Sequence, residues 1–147
     1  MKIGTLAARA GCQPVTIRYY EKIGLLPPAP RDEGNYRVYS RVHEERLLFI
    51  RRCRSLDMSL DEVRQLLACQ AGQGADCSDV NTLVDEHIQH VAQRIQTLQA
   101  LQQQLVELRQ QCDRASEVAA CPILQGLATG DLYALTDMQS HLGHSHD

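Results

Sequence analysis

The stretch Val84-Asp85-Glu86-His87-Ile88-Gln89-His90-Val91-Ala92-Gln93-Arg94-Ile95-Gln96-Thr97-Leu98 decides how this chain folds. Its apolar residues recur at alternating steps of four and three: Val84, Ile88, Val91, Ile95 and Leu98. The stripe restarts through Leu101, Leu105, Leu108 and Cys112, with glutamines such as Gln89, Gln93, Gln96 and Gln102 between. That period is helical, and over this length it marks a coiled-coil seam. It predicts one long helix over residues 79–112. A lone helix cannot bury such a stripe, so the seam needs a partner helix.

Cysteines bracket this helix: Cys77 before it, Cys112 at its end and Cys121 just beyond. At 1.5 Å rise per residue, Cys77 and Cys112 of one chain stand roughly 50 Å apart, so they cannot share an ion within a chain. Two copies packed antiparallel would bring Cys77 of one beside Cys112 and Cys121 of the other. Three thiolates would then meet at each end of the coil. Soft thiolates select soft ions: Cd(II), Hg(II), Pb(II), Cu(I) and also Zn(II). The competing reading is three scattered thiols of an ordinary cytosolic protein. Cys12, Cys53 and Cys69 lie among apolar residues and read as structural thiols.

A length of 147 residues allows one domain of ordinary size or two small ones. Aromatics make up only 4%, with no Trp and one Phe, so much of the core is expected to be shared with a partner. No apolar run follows a basic region at the N-terminus, and none reaches the length of a membrane span. The expectation is a cytoplasmic protein, without membrane contact, whose cysteines are thiols rather than disulfides. The net charge of −3 hides an asymmetry. Residues 1–70 hold twelve Lys/Arg against eight Asp/Glu, while residues 71–147 hold three against ten. A basic half joined to an acidic half suggests a nucleic-acid module joined to something else.

In the basic half, Met1 to Ala10 reads as a short helix that Gly11 breaks. Pro14 suits the first turn of a second helix, where its missing N–H costs nothing. Two short helices around a glycine turn fit a helix-turn-helix, whose second helix enters the major groove. Thr16, Arg18, Tyr19, Tyr20 and Lys22 offer donors there for phosphates and base edges. A small amphipathic helix with a solvated basic face is the plainer alternative. Pro27, Pro28 and Pro30 forbid a further helix. Turn residues Asp32 to Asn35, then the alternating Tyr36-Arg37-Val38-Tyr39, predict a hairpin, a wing with Arg31 and Arg37. Ser40 caps a third helix to about Leu56, with Arg46, Arg51, Arg52 and Arg54 on a solvated or DNA-facing side and His43 at the surface. Ser59 and Glu62 form a capping box for a fourth helix.

These pieces together resemble the MerR family of transcription regulators. The carrying residues are Thr16-Ile17-Arg18-Tyr19-Tyr20-Glu21, Gly24-Leu25-Leu26, Asn35-Tyr36-Arg37-Val38-Tyr39 and Leu56-Asp57-Met58-Ser59-Leu60-Asp61-Glu62-Val63. The resemblance implies a mainly α protein: a winged helix-turn-helix over residues 1–70, a linker over 71–78, and an antiparallel dimerisation helix over 79–112. A metal-binding loop and short helix over 113–130 and a tail over 131–147 follow. By motif match, Arg18, Tyr19 and Tyr20 of the second helix and Arg31, Asn35, Tyr36 and Arg37 of the wing contact DNA, with Arg54 a further candidate.

The second half is most similar to the cadmium- and lead-sensor branch of that family, through Cys77-Ser78-Asp79-Val80-Asn81, Asp85-Glu86-His87-Ile88, Leu105-Val106-Glu107-Leu108-Arg109 and Cys121-Pro122-Ile123-Leu124-Gln125. The resemblance assigns Cys77 of the partner, with Cys112 and Cys121, as metal ligands. Mercury sensors of the family carry a similar set, so Hg(II) and Zn(II) stand as alternatives to Cd(II) and Pb(II). His87 and His90 share one helix face, and with His141, His144 and His146 of the tail they form a possible second metal site. Two solvated coil histidines and a disordered tail are the competing reading. The functional expectation is a homodimer on double-stranded promoter DNA that distorts it for RNA polymerase when metal binds, with no catalytic residue. A thiol metal buffer and a sensor of drug-sized molecules are the other classes, and the short tail leaves little chain to enclose a drug.

Overall fold

The computed structural model describes residues 1–72, 76–112 and 118–130. Two compact units divide the chain, Met1–Val80 and Asn81–Asp147. In the first, α1 (Ile3–Ala10), α2 (Pro14–Lys22), α3 (Arg41–Ser55) and α4 (Leu60–Gln70) are followed by the start of α5 (Cys77–Gln110). In the second, α5 continues, a 3-10 turn covers Val118–Ala120, and α6 spans Pro122–Thr129. Among the described residues, no helix is long and apolar enough to cross a membrane.

Local chemistry explains the helix boundaries. Gly11 ends α1 with φ of 67°, and Pro14 opens α2. Ser59 and Glu62 bond reciprocally, Ser59 N to Glu62 Oε1 at 3.0 Å and Glu62 N to Ser59 Oγ at 3.1 Å, which satisfies two donors at the start of α4. The core of the first unit is aliphatic. Leu6, Ile17, Leu47, Ile50 and Val63 are fully buried, and Leu25, Leu26 and Tyr39 close it. Each such side chain contributes about 1.5–3 kcal/mol relative to exposure. Cys53 belongs to this core and Cys12 packs against it. Burial pushes both thiols above their ordinary pKa.

Two expectations are corrected here. His43 is buried, not at the surface. Its Nδ1 accepts from Ser40 N at 3.1 Å, its Nε2 lies 3.1 Å from Pro27 O, and its ring meets Tyr39 edge-on at 5.3 Å. Both ring nitrogens are used, so a polar side chain is tolerated inside. Of the four arginines expected on a solvated or DNA-facing side of α3, three hold carbonyls and Arg52 stays exposed. Arg51 donates to Ala10 O, Arg46 to Leu25 O and Arg54 to Met58 O. Arg64 of α4 does the same for Ile23 O at the end of α2. Cations at these carbonyls satisfy orphan acceptors and oppose the negative helix ends. At the start of α5, Asp76 is the cap. Its carboxylate accepts from Ser78 N at 2.7 Å, while Asp79 Oδ2 accepts from Asp76 N at 3.1 Å. The Ser78 hydroxyl, first, and the Ser78 N–H hold the Asp76 carboxyl below its usual pKa.

The wing is smaller than a hairpin. Among the described residues it is a single antiparallel bridge between Arg31 and Arg37. Asp32 N donates to Tyr36 O at 2.9 Å and Val38 N to Pro30 O at 2.7 Å. Pro28 and Pro30 have no N–H to give, so the ladder cannot lengthen on that side. In α5, only His87 is buried among the described residues. Val84, Ile88, Ile95, Leu98 and Leu105 of the seam stay exposed in the single chain, between 37% and 54%.

Candidate DNA interface and thiol site

Helix α2 turns two faces in opposite directions. Ile17 and Tyr20 enter the core, while Arg18, Tyr19 and Lys22 are exposed and Thr16 is half-buried. The structure thus takes the Tyr20 side chain off the outward face where it was expected. Its ring rests 6.1 Å from that of Tyr19, and burial raises its hydroxyl pKa. Arg54 is half-buried and holds Met58 O at 2.8 Å, so it serves the α3–α4 turn.

The wing presents Arg31, Asn35 and Tyr36 to solvent. Asn35 takes φ of 64°, a left-handed conformation that asparagine tolerates better than most residues. Its carbonyl accepts from Arg31 Nη1 at 2.8 Å. Asp32 accepts from Tyr36 N at 3.0 Å and pairs with Lys2, whose ammonium lies 5.1 Å from the Tyr36 ring centre. The Lys2 partnership, first, and the Tyr36 N–H hold the Asp32 carboxyl below its usual pKa. Arg37 Nε stands 3.2 Å from Glu21 Oε2, and the Tyr39 hydroxyl donates to Glu21 Oε1. Burial, then the bond to Glu21, push the Tyr39 hydroxyl up to about 12.

A cleft of about 380 Å³ opens between α2 and the wing. Lys2, Arg18, Arg31 and Arg37 line it with Ile3, Asn35 and Tyr36. Four cations around one concave surface suit phosphate, and donors such as Asn35 and Tyr36 suit backbone or base edges. The sequence pattern identified Arg18, Arg31, Asn35, Tyr36 and Arg37 but not Lys2, Asp32 or Glu21. Those three sit at sequence distances where only the folded reversal brings them together.

The second chemical feature is a thiol pair. Cys121 caps α6, with Pro122 in its first turn, and its carbonyl accepts from Gln125 N at 3.0 Å. The N–H of Leu124, first, with that of Ile123 and the Cys112 thiol, favours the Cys121 thiolate and lowers its pKa. A thiolate at a helix N-terminus meets unpaired N–H groups and the positive end of the helix dipole. Arg109 Nη1 donates to Cys112 O at 2.7 Å and holds the end of α5. Cys112 and Cys121 are therefore brought together within one chain, and both are half-buried. Cys77 is exposed and is the first residue of the 34-residue α5. His87 and His90 meet edge-on, ring centres 6.4 Å apart. His141, His144 and His146 lie outside the described residues.

Residues 1–69 match the family model described as MerR HTH family regulatory protein, and residues 44–108 match the one described as MerR, DNA binding. The HTH-type transcriptional regulator ZntR homolog of Haemophilus influenzae is 46% identical over 110 residues, 75% of this chain and 82% of that protein. The structure resembles that of transcription regulator PbrR691 from Ralstonia metallidurans CH34 in complex with lead(II). That match has 49% identity and a TM-score of 0.73, covering 86% of this chain and 98% of the other. It also resembles the dual function transcriptional regulator MerR from Bacillus megaterium MB1 in complex with mercury(II), at 30% identity and a TM-score of 0.64, covering 87% and 99%. The chain belongs to the MerR HTH family of DNA-binding transcription regulators. Both of these solved relatives are metal-bound transcription regulators, and the class is not an enzymatic one.

Proposed function

We propose that this chain is a homodimeric, metal-responsive transcription regulator that binds promoter DNA and activates transcription on binding Cd(II) or Pb(II). The observation that carries this reading is the Cys112–Cys121 thiol pair at the head of α6, its thiolate form favoured by α6 N–H groups. Two thiolates ask for a soft ion and leave room for a third donor. The α5 helix of 34 residues is about 50 Å long, so Cys77 completes the set from the antiparallel partner. The half-exposed seam of α5 is the surface such a partner covers.

In this account, thiolate capture at the coil ends selects one dimer conformation. The two α2–wing surfaces then shift on a pseudo-palindromic promoter and distort it, which aligns its elements for RNA polymerase. Arg18, Tyr19 and Lys22 of α2 work with Arg31, Asn35, Tyr36 and Arg37 of the wing on the DNA. Identity to a lead-bound regulator exceeds that to a mercury-bound one, which supports Pb(II) and its soft neighbour Cd(II) over Hg(II). His87 and His90, borderline donors, form the beginning of a second site that favours Cd(II) or Zn(II) over Pb(II).

The test is titration of the reduced dimer with Cd(II) and with Pb(II), read by thiolate-to-metal ultraviolet absorption. Cys77→Ser, Cys112→Ser and Cys121→Ser each collapse the band. Mixed dimers of Cys77→Ser with Cys112→Ser chains recover one site. A Cys77→Ser protein that titrates like wild type would overturn the cross-chain site. Competition with Hg(II) and Zn(II) ranks the effectors, and tighter Hg(II)-dependent promoter activation would replace the Cd/Pb assignment.

A further inference from the structure

Glu21 is an acidic residue in the middle of a cationic interface, and it is 88% shielded, with only 12% of its side chain exposed. Both carboxylate oxygens are used, each by a different residue. Oε1 accepts from the Tyr39 hydroxyl, and Oε2 lies 3.2 Å from Arg37 Nε. Tyr39 is anchored: 2% exposed, edge-on to His43, with its N–H on Met1 O at 2.7 Å. Arg37 is the far half of the bridge that defines the wing, and it lines the same cleft as Arg18. Glu21 therefore ties three things to one point: α2, the core and the wing.

We propose that Glu21 is a positioning residue for DNA recognition, which holds Arg37 of the wing in register with Arg18 of α2 and discourages binding to unrelated duplex. Two physical effects separate here. Affinity for any duplex follows the number of cations offered to phosphates and grows when an anion is removed. Affinity for a particular sequence follows register, because phosphate contacts fix where the base-reading helix lies. One carboxylate acts on both in opposite directions. It lowers the general attraction and sharpens the geometry.

This inference rests on the reading of α2 and the wing as the DNA surface. The test measures binding to two duplexes of equal length: one selected from random sequence by the wild-type dimer, and a scrambled version. Glu21→Gln weakens binding to the selected duplex about tenfold and tightens binding to the scrambled one about two- to threefold. In an Arg37→Gln background, Glu21→Gln changes selected-duplex affinity by less than about twofold, since the two act as a unit. A parallel loss on both duplexes, or full additivity with Arg37→Gln, overturns the proposal. Should Glu21→Gln lose its cooperative unfolding transition, Tyr39→Phe carries the test. It keeps the charge and removes one tether, so the selected duplex loses about threefold and the scrambled one nothing. Equal losses on both contradict the proposal. Arg18→Ala separates the two levels. If it leaves selected-duplex binding intact, the surface itself is misassigned; if it abolishes binding while Glu21→Gln has no effect, only the role of Glu21 fails.

Discussion

Replacing Ile95 by aspartate should split the dimer. Ile95 is 51% exposed in the single chain and sits in the middle of the α5 seam, flanked by Ile88 at 54% and Leu98 at 46%. Full burial of an isoleucine contributes about 1.5–3 kcal/mol, so covering the remaining half contributes about 1 kcal/mol per side chain. A homodimer contains the position twice, which makes the apolar loss about 2 kcal/mol. An unpaired carboxylate in an apolar seam adds about 1–3 kcal/mol per chain even after relaxation. Together the change is at least about 4 kcal/mol, or a factor of about a thousand in the dimer dissociation constant. Sedimentation velocity across a dilution series reads this directly. Gln96→Asp adds the same charge one residue away, off the apolar stripe, and leaves the dimer intact. An Ile95→Asp protein that sediments as wild type at every concentration would show that the seam is not the dimer interface.

Three further outcomes test the scaffold. Gly11→Ala forces a side chain into φ of 67° and against the Arg51 guanidinium that holds Ala10 O, so urea unfolding should show a loss of about 1–2 kcal/mol. Ser59→Ala removes half of the α4 capping box and should cost about 1 kcal/mol by the same assay, with the Glu62 side chain still present. The folded state keeps the Tyr39 proton to about pH 12, whereas the ordinary value is 10.0. Stability from this group is thus complete below pH 10 and is lost as pH rises towards 12. Tyr39→Phe should flatten that alkaline limb of the unfolding midpoint, and an unchanged limb would mean another group controls it.

The legible parts of this molecule share one property: their cause lies within a few residues. The glycine at 11 and proline at 14 punctuate α1 and α2 as read. The Ser59–Glu62 box is a pattern of four residues, and the α5 stripe repeats itself. Errors fell where a distant partner decides. His43 looked polar and therefore exposed, but Pro27 O and Ser40 N satisfy it inside. Arg51 and Arg46 of α3 were expected on a solvated or DNA-facing side, but they hold the carbonyls of Ala10 and Leu25. Tyr20 carries a hydroxyl suited to DNA, yet it lies on the same helical face as Ile17 and turns inward.

By itself, then, the order of residues determined the helices, the family, the long seam and the candidate thiols, because periodicity, caps and motif spacing are written along the chain. Tertiary structure alone decided which arginines hold carbonyls at the helix ends and turns. It alone set Glu21 between Tyr39 and Arg37, and brought the Cys121 thiol against both the α6 N–H groups and Cys112. The physical reason is range. Helix propensity and capping act over a turn or two, whereas charge pairing and desolvation depend on through-space neighbours that only folding assembles.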